Sequence, residues 1–240
     1  MNDRITQRRQ RGFSLVEIAI VLVIVGLLVG GLLTPLSMQM EQRRAADTQR
    51  ALDEAREALV GFAVRYGYLP CPAISARDGQ EDRSGNRCTD ERRDGFLPWA
   101  TLGLPRLDAW NHLYRYSVTP AFADSANRFK LVTARDITVY TRDGLGNLSA
   151  ATGAADIPAV IMSHGRNGYG ATSDAGIVVA NAARSVGGED EQNNATADVN
   201  FMARNPSDNR TLPGGEFDDM VTWVSPNILF NRMVAAQTLP

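Results

Sequence analysis

Residues 13–33, FSLVEIAIVLVIVGLLVGGLL, decide how the rest of this chain is read. Within these 21 residues only Glu17 is charged and only Ser14 is otherwise polar. A helix rises about 1.5 Å per residue, so the run extends roughly 31 Å, close to the hydrocarbon thickness of a bilayer. It is long enough to span a membrane. Arg4, Arg8, Arg9 and Arg11 come just before it. By the positive-inside rule that end stays cytoplasmic, which places everything after Pro35 on the far side. An ordinary secretory signal has a shorter apolar run followed by a small-residue cleavage site, whereas here the run is long and Gly12 precedes it.

The remainder has the composition of a folded domain. Of 240 residues 44% are hydrophobic and 22% charged, enough to bury one main core beyond an anchor. The four leading arginines against Asp3 supply +3 of a formal net charge of -2, so removing residues 1–12 would leave an acidic chain of -5. That balance argues against a general nucleic-acid binder, which needs clustered Lys and Arg to track phosphates.

Glu17 needs a physical reason. A lone carboxylate in a spanning helix costs on the order of 2 to 3 kcal/mol at the bilayer centre and less near the interface. A cationic partner would compensate it. The sequence Arg11-Gly12-Phe13-Ser14-Leu15-Val16-Glu17 resembles the class III signal of type IV prepilins and type II secretion pseudopilins. The resemblance implies a leader of residues 1–12 cut after Gly12 by a prepilin peptidase that also N-methylates Phe13. That cut would create a cation, since the new amine of Phe13 would lie four residues from Glu17, roughly 6 Å along the axis. The resemblance also implies an apolar helix, residues 13–35, kept first as an inner-membrane anchor and then as filament core. Glu17 is then the assembly residue, pairing with the amine of a neighbouring subunit, and Pro35 matches the helix-kinking proline of these proteins. The implied partners are the peptidase, other pilin or pseudopilin subunits, an inner-membrane assembly platform and membrane lipid.

Residues 36–66 continue a helical pattern, within an amphipathic segment of residues 36–70. Leu52, Ala55, Leu59, Phe62, Ala63 and Tyr66 recur at threes and fours and mark one face for packing on a head. Glu41, Arg43, Arg44, Asp47, Arg50, Asp53, Arg56 and Glu57 form a solvated opposite face. Pro70 and Pro72 stop the helix. The head, residues 71–240, reads as short strands at Tyr114–Val118, Phe129–Thr133, Ile137–Tyr140, Ala159–Ser163 and Met220–Val224, with little helical periodicity. Asp143-Gly144-Leu145-Gly146-Asn147 and Gly187-Gly188-Glu189-Asp190 carry turn or loop chemistry. There is no internal repeat. The expected fold is therefore α+β and pilin-like: a long amino-terminal helix, transmembrane in its first half and amphipathic in its second, packed on an antiparallel β-sheet head.

Cys71 and Cys88 bracket a loop rich in Asp, Arg and Gly that would otherwise be floppy. In an oxidising envelope compartment, two lone cysteines predict a disulfide, which contributes roughly 3 kcal/mol for a loop of this size. Zinc is the rival, but it lacks a second ligand pair, since His112 and His164 are isolated in sequence. The early position of this pair departs from the family's frequent carboxyl-terminal disulfide.

Asp108-Ala109-Trp110-Asn111-His112-Leu113-Tyr114-Arg115-Tyr116 resembles the strand-opening pattern of major pseudopilins. Ser163-His164-Gly165-Arg166-Asn167-Gly168 and Asp218-Asp219-Met220-Val221-Thr222-Trp223 resemble their glycine-rich turn and closing strand. As residues alone, Trp110, Tyr114, Tyr116 and Trp223 serve equally as aromatic core. The resemblance implies calcium, with Asp218 and Asp219 as hard oxygen ligands and Asn167 and Asp174 behind them. No other cofactor is expected.

Nothing reads as an enzyme. Ser163 and His164 are adjacent, a poor basis for triad geometry, and there is no Gly-x-Ser-x-Gly elbow. Gly165-Arg166-Asn167-Gly168-Tyr169-Gly170 lacks the Lys and Ser/Thr of a P-loop. The expected function is a structural subunit, a minor pilin or pseudopilin, of a type IV pilus or type II secretion pseudopilus. It would be single-pass in a bacterial inner membrane with a periplasmic head, before assembly. A DNA-uptake fibre is a further filament type compatible with the signal. The alternative is a membrane-tethered periplasmic binding protein or enzyme that uses the helix only as an anchor.

Overall fold

The computed structural model describes residues 14–179, 188–196 and 199–239, without the side chains of residues 28–35. Gly12, Phe13 and the leader lie outside the described residues. Helix α1, Leu15–Tyr66, is the longest element. The chain divides into two units, Met1–Arg43 and Arg44–Pro240, so the back of α1 belongs with the head.

In the first unit the apolar side chains from Leu15 to Leu27 are exposed, Leu15 at 86% and Leu27 at 73%. Among the described residues no helix is long and apolar enough to cross a membrane. The described side chains of this run end at residue 27, about 20 Å from Ser14 at helical rise.

In the second unit α1 buries Leu52, Ala55, Leu59, Val60 and Ala63. Phe62 is half-buried and Tyr66 exposed, unlike the expectation, and Val60 takes the place in the core. Phe62 and Tyr66 instead join Tyr68 in a ring cluster with centroids 4.4 to 6.2 Å apart. The helix ends before the prolines: Gly67, at φ +84°, donates its N–H to the carbonyl of Ala63 at 2.7 Å. This left-handed closing turn is one glycine adopts without a Cβ penalty.

The head begins with a hairpin, β1 Arg83–Ser84 and β2 Arg87–Cys88. The Cys71–Cys88 disulfide joins it to the chain leaving α1. The loop is not floppy apart from this bond. Glu81 accepts the Cys71 N–H at 2.9 Å and pairs with Arg83, which donates to the carbonyls of Asn86 and Ala123. After β3 Asp94–Phe96 and a short helix α2 Trp99–Leu102 come β4 Arg115–Val118, β5 Thr138–Arg142, β6 Leu148–Ala150 and β7 Ala159–Ser163. Then follow α3 Glu189–Thr196, β8 Asn200–Met202, β9 Met220–Trp223 and α4 Pro226–Ala235.

One sheet, in the order β3-β4-β7-β9, is antiparallel. The other, β6-β5-β8, is mixed, because β5 and β8 run parallel. The head is thus not purely antiparallel. β7 is buried at every position and separates two cores. Ala159 and Ile161 join α1, Tyr116, Val118 and α4, whereas Val160 and Met162 join Ile137, Val139 and Phe201 of the second sheet. The two-residue alternation of a strand produces this division.

Three head readings change. Phe129–Thr133 forms no strand: Phe129 is buried and stacks on Phe122 at 4.5 Å, and a turn follows in which Thr133 donates its N–H to the Lys130 carbonyl. Glu189 and Asp190 open a helix, not a loop; their charges favour its positive amino end, and Arg115 donates to the Asn194 and Ala195 carbonyls at the other end. Helix α4, with Pro226 in its first turn, was masked by its brevity; Leu229 and Met233 pack into the α1 core, and Arg232 pairs with Glu57 at 2.7 Å.

Replacing both Cys71 and Cys88 by serine should lower unfolding free energy by roughly 3 kcal/mol. Urea denaturation of the full chain in detergent checks this; an unchanged midpoint would mean that the Glu81 and Arg83 contacts hold the loop without the covalent link.

Candidate functional site

At the amino end of α1, Ser14 and Glu17 form a reciprocal cap. The Glu17 N–H donates to Ser14 Oγ at 3.2 Å, and Glu17 Oε2 accepts the Ser14 N–H at 2.8 Å. This Ser-x-x-Glu box satisfies two of the helix's orphan donors and puts a carboxylate at its positive end. The Glu17 carboxylate is therefore held against the Ser14 N–H in the first turn of the helix. Residues 7–33 match the prokaryotic N-terminal methylation motif. The chain carries the prepilin-type signal of type IV pilins and pseudopilins. No curated protein and no solved structure matches it. A prepilin-type signal implies processing by prepilin peptidase and assembly with other pilin subunits.

The head of this prepilin-type chain holds a separate cluster. Carboxylate oxygens of Glu191, Asp218 and Asp219 all lie within 4.8 Å of one another. Glu191 on α3 is fully buried and Asp219, just before β9, is 3% exposed. At an effective dielectric near 20, two full charges at this separation repel by roughly 3 kcal/mol, which hydrogen-bond donors around the acids offset in part. Asn167 organises the acids: its amide Nδ2 donates to Glu191 Oε1 at 2.8 Å and its backbone N–H to Asp218 Oδ2 at 2.9 Å. The Asp218 N–H also donates to Glu191 Oε1, at 2.9 Å. Asn194, fully buried, donates to Asp219 Oδ2 at 2.8 Å and exchanges two hydrogen bonds with the Met202 backbone.

The donors suit a hard divalent cation. Oxygen ligands at 2.3 to 2.6 Å from calcium stand at most about 5 Å apart, so a 4.8 Å spread fits one coordination shell. Of the residues read from sequence, Asp218 and Asp219 come together, and Asn167 joins them as a hydrogen-bond donor. Asp174 is exposed on another turn, where its carbonyl accepts from Arg106. Glu191 went unnoticed because its acidic run reads as a loop until α3 is seen. From Glu189 to Thr196 every residue but Ala195 is polar, so no apolar periodicity marks the helix in the sequence.

His164 borders the cluster, its Nδ1 3.8 Å from Asp219 Oδ1, beyond hydrogen-bond reach. Burial, with the charges of Arg115 and His112 nearby, pushes its pKa down to about 3, so the imidazole is neutral at ordinary pH. Ser163 does not activate toward His164. Its hydroxyl donates to Asp108 Oδ2 at 2.6 Å, and Asp108 Oδ1 accepts the backbone N–H groups of Trp110 and His112. Ser163 thereby locks the turn that opens β4.

Gly165 lets this turn approach β9. It sits at φ +60°, and a Cβ there would lie 2.2 Å from the Asp218 carbonyl oxygen. Gly165→Ala should therefore cost at least ~3 kcal/mol in unfolding free energy, from backbone strain together with displacement of Asp218. Urea unfolding measures it; a change within 0.5 kcal/mol, about that of an ordinary surface substitution, would contradict the close approach.

Proposed function

We propose that this chain is a minor pilin or pseudopilin subunit, cut after Gly12, methylated on Phe13 and assembled through its amino-terminal helix into a type IV pilus or type II secretion pseudopilus. The observation that carries this reading is the methylation motif over residues 7–33, with Glu17 held at the helix start. The exposed apolar side chains from Leu15 to Leu27 support it, because such a surface requires lipid or protein cover. In the precursor the apolar run spans the inner membrane and the head is periplasmic. In the filament the same helices pack together, and the carboxylate of Glu17 meets the amine of a neighbouring subunit. Partners are the prepilin peptidase, sister subunits and the assembly platform.

Glu17→Ala should leave the subunit in the membrane fraction while reducing its amount in sheared filaments at least tenfold, measured by immunoblot. Normal incorporation would remove the assembly role. Mass spectrometry of the mature amino terminus separates this reading from a simple tether: methylated Phe13 supports assembly, and retained residues 1–12 support an anchored binding protein or enzyme.

We also propose calcium at Glu191, Asp218 and Asp219, where its two positive charges would offset most of the three carboxylates' charge and hold α3 to the segment that opens β9. Calcium at about 100 times its Kd contributes ~2.7 kcal/mol to the folded state, a rise in melting temperature of roughly 5 to 10 °C for a chain of this size. Titration calorimetry and thermal melting of the full chain in detergent test it. No binding heat and no shift would dispose of the site, and Asp218→Asn should abolish both signals.

A further inference from the structure

In the sheet order β3-β4-β7-β9, β9 is an edge strand. The Val224 N–H donates to the Ala159 carbonyl at 2.9 Å, and in an antiparallel pair the bonded positions alternate. Met220 and Thr222 therefore turn their main-chain groups toward β7, while Val221 and Trp223 turn theirs away from it. Among the described residues nothing bonds the main chain of Val221 or Trp223 on that outer side. The segment after β8 meets the chain before β9 at Ser207 and Phe217. Further along the two part. Asn194 bridges part of the gap, bonding Met202 on one side and Asp219 on the other. A cleft of about 660 Å³ is left beside β9, with Val221, Trp223, Leu212 and Pro213 as its apolar lining and Asn205 on its rim.

The ionic side chains of this cleft are satisfied within the fold. Arg142 and Arg204 both donate to Asp190, and their further donors reach the carbonyls of Gly146 and Gly215. Asp143 turns its carboxylate into its own loop. Two arginines against two aspartates leave no net charge, so what the cleft offers is an open strand edge flanked by apolar side chains.

A second open edge lies elsewhere on the head. Residues 171–173 and 177–179 form a hairpin: the Ser173 N–H donates to the Ile177 carbonyl at 2.9 Å, and the Val179 N–H to the Ala171 carbonyl at 2.8 Å. The Leu113 N–H donates to the Thr172 carbonyl, which fixes the hairpin beside the start of β4. By the same alternation Val178, opposite Thr172, turns its N–H and C=O outward. Ile177 is 67% exposed and Val178 65%. A β-branched, apolar strand edge left bare in this way is a template for pairing with another chain.

We propose that these two edges meet between copies of the chain: residues 177–179 of one copy add as a strand to β9 of another. Their main chain would bond Val221 and Trp223, and their side chains would lie against Trp223, Leu212 and Pro213. A neutral, apolar strand suits a lining without net charge, and strand addition takes its affinity from main-chain bonds and its selectivity from such pockets. The two surfaces differ, so the contact is heterologous and each added copy presents a further open edge. The inference needs only two copies and is independent of the amino-terminal signal.

Cross-linking tests it. Full chains carrying Val178→Cys and Asn205→Cys are mixed in equal amounts in detergent and treated with a short bismaleimide. A mixed dimer should form well above the dimer yield of either variant alone. Ser84→Cys, exposed on the β1 turn, takes the place of Val178→Cys as the control for chance collision in a micelle. Ile177→Asp on the Val178→Cys chain should cut the mixed dimer at least about tenfold, because the contact would bury an unpaired carboxylate. Its melting temperature should not change, since residue 177 is exposed. Leu212→Glu on the Asn205→Cys chain should act alike from the other side. A mixed dimer no stronger than the Ser84→Cys control, or one that persists with Ile177→Asp or Leu212→Glu, overturns the proposal.

Discussion

The packing of one face of α1 on the β4–β7 sheet is the contact on which the rest of the head depends. Leu52, Leu59 and Ala63 are wholly excluded from solvent against Tyr116, Val118 and Ile161. Each large aliphatic side chain buried in this way contributes about 1.5 to 3 kcal/mol. Once that face is fixed, the alternation of β7 sends Val160 and Met162 to the opposite side, and they need a second cover. The β6-β5-β8 sheet provides it. The residues of α1 that read as a solvated face are partly recruited: Glu57 pairs with Arg232 of α4, and Arg56 donates to Thr222 of β9 at 3.4 Å. The helix thus holds the sheet by its apolar face and by Arg56, and it holds α4 by Glu57.

A second organising element is the short, polar α3. Of its three buried side chains, Asp190 serves one network while Glu191 and Asn194 both reach the carboxylate cluster. Asp190 gathers Arg142 and Arg204 at the cleft, Glu191 receives Asn167 and the start of β9, and Asn194 bridges β8 to Asp219. Charges buried at these positions persist only when paired and hydrogen-bonded, since removing one partner leaves an uncompensated ion in a low dielectric. This explains why so hydrophilic a segment lies inside the head. Adjacent residues of this helix thus serve two separate networks, Asp190 the two arginines and Glu191 the carboxylate cluster.

The two units differ in kind. The front of α1 presents an apolar surface with a capped, acidic start, whereas the head is a closed fold with internal ion pairs and a disulfide. Surface of the first kind is completed by another molecule, whether lipid or a like helix. The carboxylate of Glu17 fits that distinction, because it stabilises the helix start in the single chain while remaining accessible at its exposed end.

Several features were legible in the sequence because they depend on neighbours a few residues apart. The apolar run, the glycine and acid of the processing signal, the spacing of Leu52, Leu59 and Ala63, and the strands at Arg115–Val118, Ala159–Ser163 and Met220–Trp223 all follow from local pattern and burial. The pairing of Cys71 with Cys88 followed from there being no other thiol. What the sequence could not determine was set by contacts between distant segments. Phe129 lies outside any strand, its ring buried and stacked on Phe122 from a separate segment. The parallel β5–β8 pair, the meeting of Glu191 with Asp218 and Asp219, and the two arginines on Asp190 join segments far apart in sequence. Only the folded head brings residues 142, 190 and 204 to one point, because the energy of a buried ion pair depends on distance and desolvation, and neither is written in sequence order.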